Sequence, residues 1–129
     1  MSVSFVQPSI SPNDTTVTKV RSLVVSNTGL VASAVACNLY SWSITNGNSA
    51  VIYVKFYDKA TAATAADVPE MTLAVQATST SIIRGWDMPE SFSAGLSVRA
   101  VTVFADNGTT NPATLPIVEL EVCAIKTGN

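Results

Sequence analysis

The chain has 129 residues, 47% apolar and only 12% charged, with a formal net charge of −2 and no histidine. Without imidazole there is no Ser-His-Asp arrangement, and the commonest general base and metal ligand are missing. The seven basic residues (Lys19, Arg21, Lys55, Lys59, Arg84, Arg99, Lys126) are scattered, which argues against a phosphate-binding patch and so against nucleic acid as a partner.

In chain order, residues 1–14 hold Pro8 and Pro12 and little periodicity. They read as an extended arm, with Val3, Phe5 and Val6 as candidate anchors on a partner. Residues 15–129 read as one domain. Thr15–Ser26 alternates apolar and polar residues and is rich in β-branched side chains, so it predicts a strand. Asn27-Thr28-Gly29 is a turn signal, and the following LVASAVACN run, whose Ala-rich part also suits a helical turn, reads better as further strand.

The segment Asn38–Asp58 carries the clearest local pattern. Tyr40, Trp42 and Ile44 alternate with Ser41, Ser43 and Thr45, and after Asn46-Gly47-Asn48 the residues Ile52, Val54 and Phe56 alternate with Tyr53, Lys55 and Tyr57. Alternation with period two places each set on one face of a strand. The Asn-Gly pair tolerates the backbone of a tight connection, so the segment predicts a β-hairpin. The first set and Ile52, Val54 and Phe56 are expected to fill the core. Tyr53, Lys55 and Tyr57 are expected to face outward, as a surface that a neighbouring subunit or shell would cover.

Lys59–Glu70 is an Ala/Thr-rich stretch with no amphipathic stripe and reads as a surface loop. Met71–Thr78 predicts a short strand. Arg84-Gly85-Trp86-Asp87-Met88-Pro89 is irregular and reads either as a loop that folds back to plug one end of the sandwich or, since it combines residue types enriched at protein interfaces, as a contact segment with Trp86 and Met88 as candidates. Leu96–Val103 and Ile117–Ile125 alternate again, separated by the Asp106-Asn107-Gly108 turn and a polar loop through Pro112 and Pro116. Seven to nine strands, turn signals every 8–15 residues and no convincing helix predict an all-β antiparallel sandwich of jelly-roll type.

Chemistry is sparse along these elements. Cys37 and Cys123 lie in apolar alternating runs and read as buried thiols; a disulfide is compatible with the sequence but nothing demands it. Glu119 and Glu121 share a strand face, and Asp87 and Glu90 flank a loop; neither pair reads as an acid/base couple. Asp106-Asn107-Gly108-Thr109 lacks the bidentate acid of a calcium loop. No enzyme activity, metal or cofactor is therefore expected. No run approaches the ~20 apolar residues of a membrane-crossing helix, and MSVSFVQPSISPND has neither the basic nor the apolar region of a secretory signal. Assembly in the cytoplasm is expected, and no membrane partner. Ser and Thr, fifteen of each, supply most of the polar surface. Such a surface offers little charge to keep copies apart.

From Leu39 to Asn111 the chain resembles short β-rich virion proteins of tailed bacteriophages. The matching residues are Asn46, Asn48, Ala50, Tyr53, Val54, Lys55 and Tyr57, then Pro69, then Phe92, Gly95 and Leu96. The resemblance implies a non-enzymatic structural part of a virion, assembled in the host cytoplasm. The expected role is a capsid decoration (cement) protein that docks on the major capsid protein as a homo-oligomer, a trimer by expectation. The alternative it implies is a tail, baseplate or fibre component, including a carbohydrate- or receptor-binding module in which Tyr53, Tyr57 and Trp86 stack on sugar rings.

Overall fold

The computed structural model describes residues 14–84 and 89–125. Nine strands form over them: β1 Asp14–Val24, β2 Leu30–Ser33, β3 Cys37–Asn46, β4 Ile52–Asp58, β5 Met71–Val75, β6 Ser79–Arg84, β7 Glu90–Phe92, β8 Leu96–Val101 and β9 Ile117–Ile125. No helix occurs among the described residues. One sheet runs β1-β9-β3-β6, with β7 also pairing β3, and the other runs β2-β8-β4-β5. Every pairing is antiparallel. The chain crosses between sheets at β1–β2, β2–β3, β3–β4, β5–β6, β7–β8 and β8–β9, which is the winding of a jelly-roll sandwich.

The core lies between the sheets. Cys37, Leu39, Trp42, Ile44, Val118, Leu120 and Val122 enter it from one sheet, and Ile52, Val54, Phe56, Leu96, Val98 and Ala100 from the other. Each set follows period-two alternation along its strand, with one change of phase in β3 between Leu39 and Trp42. The Trp42 and Phe56 rings meet across the layers with centroids 5.9 Å apart. The Trp42 indole N–H has no acceptor among the described residues, a penalty of about 1–3 kcal/mol that burial of the large ring outweighs.

That ring contact explains the first correction. The Asn38–Asp58 segment is not a hairpin, because β3 pairs with β6, β7 and β9 whereas β4 pairs with β5 and β8. Both strands bury an apolar face, and here the two faces oppose each other across the core instead of lying side by side in one sheet. The turn residues build the corner. The Asn46 amide donates to the carbonyls of Ala50, Val75 and Gln76 at 3.0 Å each. Its oxygen accepts from the backbone and side-chain nitrogens of Asn48, both at 2.8 Å. Asn48 then donates to Thr114 O (2.7 Å) and accepts from Thr114 N (2.7 Å).

A second correction concerns Tyr40. Leu39 pairs with Val122 and Ser41 with Glu121, so Tyr40 is the extra residue of a β-bulge and the alternation changes phase there. Leu39 joins Trp42 and Ile44 in the core cluster, and Tyr40, though buried, is not part of it. Cys37 and Cys123 are both buried, and neither is in a disulfide. Cys37 pairs with Ala124 and Cys123 with Asn38, so the thiols point to opposite faces of the sheet and cannot bridge without a rebuilt register. Burial pushes the Cys37 thiol above its ordinary pKa, which keeps it protonated and unreactive.

Candidate functional site

The outer face of the β2-β8-β4-β5 sheet concentrates the chain's polar chemistry. Antiparallel register sets Tyr53 opposite Val101, Lys55 opposite Arg99 and Tyr57 opposite Ser97. From the sequence this face is expected to lie open. Of the three outward residues of β4 only Tyr53 reaches the surface: Lys55 and its neighbour Arg99 are 0% and 1% exposed, and Tyr57 is 1% exposed. Loops of the same chain cover it.

Arg99 is the central fastener. Its Nε donates to Asn27 O (2.7 Å), Nη1 to the Tyr57 hydroxyl (2.9 Å) and Nη2 to Gly108 O (2.7 Å). One guanidinium thereby joins two separate loops to the sheet, using the fixed fork of donors that lysine lacks. Lys55 Nζ donates to Ala105 O in the same overlying loop. Burial lowers the Lys55 pKa, opposed by the nearby Asp106 charge and reinforced by Arg99. Two cations facing each other in a dry site would be costly; three backbone carbonyls and a phenol oxygen take up their donors. Asn27 ties the covering loops to each other, its backbone N–H donating to Asn111 Oδ1 (2.7 Å) and its side chain to Thr109 O (2.6 Å).

The 59–69 segment closes the other end. Ala63 N donates to Ser97 Oγ (2.9 Å), and the Lys59–Asp67 ion pair (2.8 Å) folds the loop on itself. Here the chain passes so close to Gly29 that a Cβ on it would lie 2.2 Å from Ala63 N and 2.4 Å from Ala63 O. Asp58, at the end of β4, collects the turn after β7. Its carboxylate accepts from Ser93 N (3.2 Å), Ser93 Oγ (2.9 Å), Ala94 N (2.8 Å) and Gly95 N (3.4 Å). Burial alone would raise its pKa, but these donors outweigh burial and hold the carboxyl below the usual range.

What stays accessible is different in kind. Tyr53 is half-buried and meets Phe104 edge-on, with centroids 5.7 Å apart and planes at 80°. Phe104 is 64% exposed, beside the exposed Val103. Sequence reading missed Phe104. The available signal is an aromatic just past the end of an alternating strand and just before Asp106-Asn107-Gly108, where no core is left for it to enter. A shallow groove of about 530 Å³ opens beside the Asn48 corner, lined by residues 47–52, Thr102 and Pro112–Thr114. It carries no charged or aromatic side chain.

Of the contact candidates read from the sequence, Tyr53 is at the surface and Tyr57 is inside, its hydroxyl taken by Arg99. The outward placement of Lys55 and Tyr57 is therefore corrected: their cover is intramolecular. Val3, Phe5, Val6, Trp86 and Met88 lie outside the described residues. Among the described residues no group of three or more His, Cys, Asp or Glu is placed to hold a metal ion, and no helix is long and apolar enough to cross a membrane. Comparison of the chain with family models, curated proteins and solved structures gave no match.

Proposed function

We propose that the chain is a non-enzymatic structural protein of a bacteriophage virion, acting as a capsid decoration protein that docks on the shell and stabilises it. The observation that supports this most is the use made of the polar side chains on the strands and at the β3–β4 corner. Asn46, Asn48, Lys55, Asp58, Ser97 and Arg99 each hold down a loop or corner of the chain itself. The surface left outside these contacts is low in charge and dotted with apolar side chains. Val24 and Ile117, opposite each other across β1 and β9, are 59% and 45% exposed, and Phe104 and Val103 crown the covering loop. Such a surface suits repeated docking on identical subunits, where shape and small apolar contacts repeat by symmetry. The jelly-roll topology is one that viral shell proteins use.

The Tyr53–Phe104 pair favours a second reading, a carbohydrate-binding module at a fibre tip, since exposed aromatic faces stack on sugar rings and jelly rolls also serve as lectins. Co-sedimentation of purified chain with empty capsids separates the two. Saturable binding that is lost when residues 1–14 are deleted supports the decoration role. Failure to bind capsids, together with retention on host glycans that F104A abolishes, overturns it in favour of the second.

A further inference from the structure

A sheet edge presents a row of unpaired backbone groups, and folded proteins guard such edges with charge, proline, bulges or very short strands. Four of the five edge strands among the described residues are guarded. β1 carries Lys19 and Arg21 and two register shifts; β2 is four residues long with a register shift. β6 ends in Arg84, and β7 is three residues long and begins with Glu90. β5, Met71–Val75, has no charge, no proline and no register shift against β4, and its far side pairs with no described strand. Met71 and Leu73 pack against the core yet remain only half-buried.

We infer that β5 is a self-pairing edge: two copies join antiparallel, β5 to β5, about a two-fold axis at Leu73, so that their β2-β8-β4-β5 sheets become one continuous sheet. The register follows from the pattern. Residues directly opposite each other must share a face, so the axis passes through a residue and not between two. Leu73 is the one centre that pairs all five residues, setting Met71 opposite Val75, Thr72 opposite Ala74 and Leu73 opposite itself. The flanking Glu70 then meets Gln76, so no like charges oppose across the axis, whereas a centre at Thr72 would bring Pro69 into the ladder. An isologous contact of this kind closes at two copies, which replaces the three-fold assembly expected from the sequence. A five-residue edge is short, so the dimer is concentration-dependent in solution and gains on a surface that holds two copies close together. The pairing does not depend on where the chain acts.

Sedimentation velocity on the full chain tests it. The wild type is expected to pass from monomer to dimer with rising concentration. T72K/A74K places two introduced ammonium groups opposite each other twice across the axis and should weaken association by about tenfold or more. T72K/A74E, which sets opposite charges at the same places, should retain it, and matching melting curves report that both variants fold. A measurement on the wild type alone adds a check that needs no variant: amide exchange at residues 71–75 should slow as concentration rises. A chain that stays monomeric to about 1 mM, a trimer, or a dimer that T72K/A74K leaves unchanged overturns the inference.

Discussion

Replacing Asn46 with alanine probes the corner that sends β3 and β4 into different sheets. The two amide hydrogens of Asn46 serve three carbonyls, those of Ala50, Val75 and Gln76, and its oxygen accepts from both nitrogens of Asn48. Two hydrogens and two acceptances make four bonds, each with a net worth of about 1 kcal/mol. The side chain is 1% exposed, so water does not readily replace what is lost. N46A should therefore cost about 4 kcal/mol, a large share of the 5–15 kcal/mol typical of a whole domain, and lower Tm by about 15 °C. Urea unfolding followed by far-ultraviolet circular dichroism gives the value, with an unchanged m showing that the same surface unfolds. G47A is the matched control. A tight Asn-Gly hairpin needs glycine at that position, but here a Cβ on Gly47 would meet only the Thr114 methyl, at 3.8 Å. G47A should fall within about 0.5 kcal/mol of wild type. A cheap N46A together with a costly G47A would refute the corner and restore the hairpin.

Arg99→Lys keeps the charge but loses the fork, and should cost at least about 3 kcal/mol and open residues 102–112 to limited proteolysis; equal stability and protection would show the covering loop is held by other means. Gly29→Ala forces a methyl into the Ala63 backbone and should cost about 2 kcal/mol or more by thermal unfolding. Thr78 is a β-branched residue at φ 47° in the crossing from β5 to β6; T78N, better suited to that region, should stabilise by about 0.5–1 kcal/mol in the same assay. Asp58 has a folded pKa below its ordinary 3.8, so its contribution is fully present above that value and is lost as pH falls through the lower folded pKa. Denaturant titrations between pH 6 and pH 2 should show a smaller acid loss for D58N than for the wild type.

The strands were legible because alternation reports burial directly: Ile52, Val54 and Phe56, or Val118, Leu120 and Val122, enter the core as their spacing requires. Which strands pair was not legible at Asn46-Gly47-Asn48. A local turn signal reads the same whether the chain returns within a sheet or crosses to the facing one. Tyr40 misled for a related reason, since a one-residue bulge leaves the composition unchanged and reverses every later side chain. Lys55, Tyr57 and Arg99 alternate as outward residues should, and they do point away from the core. Their burial comes from backbone carbonyls at Asn27, Ala105 and Gly108, and carbonyls leave no trace in a residue pattern.

The most direct test of the decoration role is an electron microscopy image of virions assembled with a tagged copy of this chain. Tag density repeated over the capsid shell is the predicted result. Density confined to the tail or fibres, or particles without the tag, would contradict it.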